Sequence, residues 1–459
     1  MLPNTPQSAA ALTVLQRLRQ TGYQAWLAGG CVRDLLLGLD PKDYDVATSA
    51  PPSIVLDLFP RTFAVGAHFG VVLVSQEIDG HATLTEVATF RSDSAYSDGR
   101  RPDAVQYTLS AEQDVQRRDF TINGLLLDPL APTPNLRDAV LDYVGGLPDL
   151  HAGILRAIGD PALRFAEDHL RLARAVRFAA RFNFTLEPST LAAIRSHASR
   201  VSLVSRERLR DELTRMLTEG QARRAFLLLA ETGLLPALLP EVARMIGVAQ
   251  PPDYHPEGDV WTHTLLLLDQ LPAGCPMTLA WAALLHDVGK PPTFTPPQAP
   301  GDRIRFNNHV EVGARIAADI ATRFRFSNDE TAQIVSLVQN HMRFGDAPKM
   351  KDSTLKRFFR LPHFQQHLEL HRMDCLASRG YLGYWEFVRE RFHSLPPEQV
   401  HPTPLLTGHH LIALGYRPGA QFKSMLHAAE DAQLEGRITT TEEALALIVQ
   451  TFPLHQERP

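Results

Sequence analysis

The sequence predicts an α+β protein: an N-terminal mixed β-sheet head, then helices to the end of the chain. Three observations carry this. Up to about residue 150, short apolar or β-branched runs alternate with Gly, Pro and Asp, the punctuation of strands and turns. From Arg164 onward, apolar residues recur at helical spacing. Pro251-Pro252 then marks a change of character, after which histidines recur in an ordered series. A chain of 459 residues has room for several cores. The expected division is a head over 1–150, a helical neck over 151–245, a histidine-bearing domain over 246–395 and a helical tail over 396–459.

Taken in order, residues 8–20 place Ala11, Leu12, Leu15 and Leu18 on one face, as a helix covering a sheet does. The apolar run 25–28 predicts a buried strand. Gly29-Gly30 follows, then a short helical turn over 32–37 that carries Arg33, and Gly38 closes it. Asp43-Tyr44-Asp45 opens a second strand. Residues two apart on a strand share a face, so Asp43 and Asp45 are expected to project side by side. Paired carboxylates repel unless a cation lies between them, and magnesium suits a carboxylate and triphosphate site. Gly29-Gly30 leaves room for backbone N–H groups to approach phosphates. A short helix is expected over 51–59 and a turn into a strand over 64–74. The alternating stretch 83–91 predicts a strand carrying Glu86, a third carboxylate if that strand neighbours Asp43. Residues 90–102 lack periodicity and predict a loop.

Composition narrows the function classes. The net charge is only −5, and 44% of residues are hydrophobic. Charge is uneven, however: between positions 164 and 224 thirteen arginines meet seven acidic residues. Such a segment reads either as a phosphate-binding surface or as a solvated helix face. Cys31, Cys275 and Cys375 are too few and scattered for a disulfide framework, which fits a reducing compartment. No leader pattern or membrane-length apolar run is present, so a cytoplasmic protein is expected, with no membrane partner and no obligate protein partner evident.

The joined pattern G-G-x-V-R-D-x-L-L-G-x-x-x-x-D-x-D over 29–45 resembles the signature of the nucleotidyltransferase superfamily. The branch it resembles holds the tRNA CCA-adding enzymes and bacterial poly(A) polymerases. That resemblance implies catalytic Asp43, Asp45 and Glu86 holding Mg2+, with Gly29, Gly30 and Arg33 at the nucleotide. Arg117-Arg118-Asp119-Phe120-Thr121-Ile122-Asn123 resembles the family motif that meets the sugar and phosphates, where arginines suit a triphosphate and Asn123 a ribose hydroxyl. The family's usual Ala is Gly124 here. A mixed-charge loop after the third carboxylate, here with Arg91, Asp93, Tyr96, Asp98, Arg100 and Arg101, is implicated in the family's switch from C to A. Its presence argues against an enzyme that adds only CC.

Glu167-Asp168-His169-Leu170-Arg171 reads on residues alone as an intrahelical ion pair, since Glu167, Asp168 and Arg171 share one helix face. It also matches the family's E-D-x-x-R, which acts as a protein template for the incoming base, with Arg174 one turn on. Cytosine and adenine offer an amine donor beside a ring-nitrogen acceptor, while uracil and guanine offer a carbonyl beside an N–H. Asp168 only accepts and Arg171 only donates, so the pair suits C and A. The charged helix 204–213 resembles a neck motif supporting the template.

In the third part, His263, His286-Asp287, His309, His341 and Asp374 follow the order H…HD…H…H…D, which resembles the HD superfamily of metal-dependent phosphohydrolases. Imidazoles and carboxylates suit a divalent ion such as Ni, Mn or Mg that activates water. The resemblance implies hydrolysis of a phosphoester, such as a 2′,3′-cyclic phosphate on a damaged RNA end. The tail, 406–436, resembles the end of many bacterial CCA-adding enzymes with an HD domain. The whole reading is template-independent addition of CCA to tRNA from CTP and ATP, with an added phosphohydrolase. The alternative is a poly(A) polymerase or A-adding enzyme. Bacterial poly(A) polymerases usually carry an arginine-rich segment where this chain has Gly66-Ala67-His68-Phe69-Gly70, which favours tRNA.

Overall fold

The computed structural model describes residues 2–64, 70–93 and 105–453. The chain divides into two compact units, Met1–Pro240 and Glu241–Pro459. Tyr96, Asp98, Arg100 and Arg101, and most of the 66–70 segment, lie outside the described residues.

The first unit is built on a seven-stranded sheet. Its strands in chain order are β1 (Ala25–Ala28), β2 (Asp45–Thr48), β3 (Thr62–Phe63), β4 (Val71–Ile78) and β5 (His81–Thr89). A separate two-stranded ladder of β6 (Arg91–Asp93) and β7 (Val105–Tyr107) follows, and β8 (Leu125–Leu127) and β9 (Val140–Asp142) complete the sheet. The spatial order is β3-β4-β5-β2-β1-β8-β9. Only β2 and β5 run parallel, so the sheet is mixed, as expected. The helix Pro6–Gln20 starts from a capping box of Thr5 and Ser8 and packs Ala11, Val14, Leu15 and Leu18 against β1, β4 and β5.

Three local expectations change. β2 begins at Asp45, with Asp43 and Tyr44 in the bend before it. Tyr44 is buried and Asp43 exposed, so the acidic side chain still stays on the open side. The stretch after Phe90 is not all loop, because Arg91–Asp93 pairs with Val105–Tyr107. The helical stretch around Asp168 is two helices, Pro161–Glu167 and Leu170–Arg181. Asp168 sits between them with extended backbone (φ −142°, ψ 105°). Leu170–Arg181 buries Leu172, Ala173, Val176 and Ala180 and packs on Arg206–Thr218 and Ala222–Glu231.

The second unit is helical. The helix Met277–Leu285 is apolar and buried throughout from Leu279 to Leu285. Asn328–Asn340 and Phe364–Ala377 pack on it and on each other, and His309–Arg323 packs on Asn328–Asn340. The tail helices Gly408–Ala413, Ala420–Leu434 and Thr441–Thr451 share a small core of Leu411, Met425, Ala429 and Ile448. Arg357 ties this tail down through Glu430 and Asp431, and Arg360 adds a second bond to Glu430. Among the described residues no helix is long and apolar enough to cross a membrane. All three cysteines are free.

Two candidate catalytic centres

In the first unit, register places the carboxylates. Asp45 on β2 lies opposite Glu86 on the parallel strand β5. Burial, and then Glu86 across the ladder, pushes Asp45 up to about 7, with Asp43 adding to the repulsion and Arg118 opposing it. Glu86 is raised likewise, first by burial, with Arg118 pulling back and Asp43 pushing further. Three carboxylates therefore feel one another at the end of β2, as a cation site requires. They are looser than the second unit's donors: among the described residues no three donors drawn from Asp43, Asp45 and Glu86 come within 4.8 Å. Asp45, Glu86, Arg91, Arg117 and Arg118 line one cleft over β1 and β2.

Gly29 acts differently from expectation. The Gly29 N–H donates to the carbonyl of Leu125, so it is already engaged. What Gly29 supplies is a missing side chain. Its φ is +71°, and a Cβ there would stand 2.9 Å from Nη1 of Arg118. Arg118 lies over Gly29 and is aimed by Asp114, which accepts from Arg118 at 3.1 Å and from Arg117 at 2.7 Å. Burial alone would raise Asp114, but the two arginines overcome it and hold the carboxyl below the usual range. Asp114 was not singled out in the sequence. Its spacing, three and four residues before the arginines on a helix, was the available signal.

The remaining motif residues form one internal network. Asp119 accepts from Arg174 Nε at 2.8 Å, Asn123 Nδ2 at 3.0 Å and its neighbour's N–H at 2.8 Å. Burial opposes its ionisation, yet Arg174 and Asn123 bring it down to about 2. Asn123 Oδ1 accepts from Arg33 at 2.5 Å. Arg33 is only 4% exposed, with its guanidinium over the ring of Phe182. Arg33 and Asn123 are both buried, and neither is among the residues lining that cleft. Arg171 donates to Glu167 at 2.7 Å and to the carbonyl of Arg117 at 3.0 Å. Asp168 pairs with Arg208 at 2.9 Å rather than with Arg171. The arginine-rich segment is thus largely internal: Arg164, Arg171, Arg174, Arg177, Arg181 and Arg208 all hold carboxylates of the same unit. Exposed Arg200, Arg215 and Arg223 face solvent.

In the second unit the six expected residues converge. Their donors form two sets, His263 with His286 and Asp287, and Asp287 with His309 and His341, each within 4.8 Å. Asp287 belongs to both. Asp374 joins through His263 Nε2 at 3.0 Å. Close approach is possible because Gly289 has no side chain: a Cβ there would run into the carbonyl oxygen of His309 and into Gly313. The Nδ1 atoms of His286, His309 and His341 face backbone carbonyls at 2.9, 2.9 and 2.7 Å. That places the proton on Nδ1 and the lone pair on Nε2. Nε2 of His309 and of His341 is buried with no hydrogen-bond partner. Two unpartnered lone pairs beside a shared carboxylate fit divalent metal ions. His341 is held down at about 4, first by burial and then by His286. Sequence reasoning missed Glu257, whose Oε1 accepts from Nδ1 of both His255 and His263 at 2.8 Å, and Lys290, 2.6 Å from Asp287. Lys290, three residues after Asp287, was legible; Glu257 lies in a turn with no period to mark it.

This chain is similar to known proteins. Residues 25–156 match the poly(A) polymerase head domain, 183–246 the probable RNA and SrmB-binding site of polymerase A, and 260–374 the HD domain. The chain is 44% identical over 224 residues to a CCA-adding enzyme of Levilactobacillus brevis, covering 49% of this chain and 54% of that one. It is 41% identical over 238 residues to a CCA-adding enzyme of Geobacillus stearothermophilus, covering 52% and 56%. A crystal structure of the Bacillus stearothermophilus CCA-adding enzyme in complex with CTP superposes with a TM-score of 0.73 at 27% identity, over 97% of this chain and 98% of that one. Over residues 25–156 this chain is similar to the poly(A) polymerase head domain, and over about half of its length to CCA-adding enzymes. It spans about half the length of the curated CCA-adding enzymes that it matches. The family head model takes in Asp43, Asp45, Glu86 and the Arg117–Asn123 motif, and the HD model ends on Asp374. Glu257 lies outside that model.

Proposed function

We propose that this chain adds CCA to the 3′ end of tRNA, one nucleotide at a time, from CTP and ATP. The observation that carries the reading is the register of Asp45 against Glu86, with Asp43 beside them and Arg118 laid over Gly29. Asp43, Asp45 and Glu86 would hold magnesium, which when bound polarises the α-phosphate and acidifies the RNA hydroxyl. Arg117 and Arg118, aimed by Asp114, grip the triphosphate and steady the pyrophosphate as it leaves. Asp168 and Arg171 choose the base. Asp168 accepts the exocyclic amine that C and A share, and Arg171 donates to the adjacent ring nitrogen. For this, Asp168 exchanges its bond to Arg208 for one to the base. Arg33, Asn123, Asp119 and Arg174 hold the base-reading helix to the catalytic strands rather than touch the nucleotide. The exposed neck arginines meet tRNA phosphates. The division into head, neck, HD domain and tail, and a cytoplasmic location, belong to the same proposal. The deciding assay supplies tRNA lacking its CCA end with CTP, ATP or both. Growth by CCA and no further supports the reading; a long A tract would establish the poly(A) alternative, and A on a CC end alone the A-adding one.

A second reading applies to the second unit, on a separate observation: the unpartnered Nε2 atoms of His309 and His341 beside Asp287. We infer a phosphoester hydrolase whose His263, His286, Asp287, His309, His341 and Asp374 hold divalent metal, nickel, manganese or magnesium. Bound there, such an ion brings a water towards ionisation at neutral pH. Lys290, buried beside Asp287, is placed to pair with a phosphate oxygen. Hydrolysis of bis(p-nitrophenyl) phosphate that appears on adding a divalent ion tests it.

A further inference from the structure

The cleft above the second centre is shaped for more than a phosphate. It is about 620 Å³, with Asp287, His309, His341 and Asp374 at its base. Three tyrosines stand around it unusually exposed: Tyr254 at 54%, Tyr381 at 64% and Tyr384 at 41%. Each is held in place. The guanidinium groups of Arg303 and Arg379 lie 5.9 and 5.8 Å from the centre of the Tyr254 ring, and Arg303 also donates to its hydroxyl at 3.2 Å. Tyr381 and Tyr384 meet edge to face at 5.6 Å. Gly383 permits this, since a Cβ there would run into the Tyr381 ring. Fixed, exposed aromatic faces with arginines beside them are what unpaired bases and their phosphates bind.

The cleft also continues past the centre. A second arm shares Phe306, Asn307, His309 and Met342 with the first and is lined by Asn308, Gln339, Asn340 and Arg343. Its amides can pair with base edges. Glu311 and Asp346 also line this arm, so the grip on phosphate lies mainly on the tyrosine side. A small phosphomonoester would occupy neither arm.

We propose that the second centre acts on single-stranded RNA laid across it, with one base stacked on the Tyr254, Tyr381 and Tyr384 surface and the next nucleotide in the amide-lined arm. This rests on the phosphohydrolase reading for its chemistry. Water supplies the oxygen that forms the new P–O bond; the P–O bond to the leaving ribose oxygen breaks, its electron pair stays on that oxygen, and the water proton goes to it.

Two measurements on the full chain test it. In the first, a 5-iodouridine hexanucleotide is photo-cross-linked and the adducts mapped by mass spectrometry. Adducts on Tyr254, Tyr381 or Tyr384 are expected; adducts confined to the first unit overturn the proposal. In the second, hydrolysis of a uridine hexanucleotide is compared with that of bis(p-nitrophenyl) phosphate, which has no base. Tyr381→Ala and Tyr384→Ala are expected to raise KM for the hexanucleotide about tenfold with kcat little changed, to leave the base-free diester within about twofold, and to be rescued by Tyr381→Phe and Tyr384→Phe. Equal effects on both substrates, or no effect on the hexanucleotide, overturn it, as does a wild type that cleaves only the base-free diester. If the wild type cleaves neither with any divalent ion, the hydrolase reading has failed, and the cross-links alone decide whether the bases sit there.

Discussion

Asp45 shows how a single side chain is tuned by its neighbours. Burial and Glu86 raise it against the pull of Arg118, so a cation arriving there favours its charged form. Asp45→Asn is expected to cut nucleotide addition by about a hundredfold or more while tRNA binding, measured by filter retention, stays nearly intact. Near-wild-type incorporation would remove Asp45 from the chemistry. Asp119 is tuned the other way. Its folded value of about 2 lies below its ordinary 3.8, so its ionised form stabilises the fold above about pH 4, and that contribution is lost as pH falls towards 2. The shift corresponds to about 2 kcal/mol. Asp119→Asn should therefore lower Tm at pH 7, with the deficit shrinking below pH 3. A deficit of equal size at both pH values would mean that packing, not charge, is what Asp119 contributes. At Asp168 the test is base choice: Asp168→Ala removes the acceptor for the shared amine, and UTP and GTP should begin to compete in single-turnover incorporation. Unchanged selectivity would leave Asp168 only as the partner of Arg208.

Elements explain which residues were legible in the sequence. Asp43 and Asp45 were expected to share a strand face; the strand starts only at Asp45, with Tyr44 buried between an exposed Asp43 and a half-buried Asp45. Glu86 was readable only as conditional on strand order, since the parallel pairing of β2 with β5 is set by a crossover that no local period encodes. The helix expected through Asp168 breaks there, where its carboxylate accepts from the Leu170 N–H two residues on at 3.0 Å and so competes with helix continuation. The arginines looked like a surface and proved mostly internal, because their carboxylate partners lie far off in sequence, as Asp119 does from Arg174 and Asp34 from Arg181. Gly124, where alanine is usual, fits a local fact: a Cβ there would be 2.8 Å from Val144, so the neighbour's bulk fills the space. Gly289 makes the same point at an element junction. Gly289→Ala forces the turn carrying His286-Asp287 away from the helix His309–Arg323. The expected cost is about 1–3 kcal/mol, read as a lower Tm in calorimetry, together with weaker metal binding in the second unit. An unchanged Tm would show that the junction relaxes freely.

At the scale of the whole molecule, the net charge of −5 conceals two chemistries in two compact units. The carboxylates Asp43, Asp45 and Glu86 belong to one, and every donor of the histidine centre belongs to the other. Neither centre lacks a ligand type that the other would have to supply. The first is carboxylates only, which favours magnesium with triphosphate oxygens; the second is rich in imidazole, which favours later transition metals. Asp287 is the residue on which the second centre turns, since both donor sets include it and Lys290 is paired to it. Asp287→Ala should therefore abolish divalent-dependent hydrolysis of bis(p-nitrophenyl) phosphate and leave CTP and ATP addition within about twofold. Asp43→Ala should do the reverse. Both reactions are measured on one preparation of each variant, with circular dichroism to establish that it is folded. Removing the buried Asp287 charge leaves Lys290 with Gln250 as its nearest bonded partner, at 2.6 Å, so some loss of stability in the second unit is expected. Loss of nucleotide addition in folded Asp287→Ala would mean that the centres are coupled, and that the division into two independent units of chemistry is wrong.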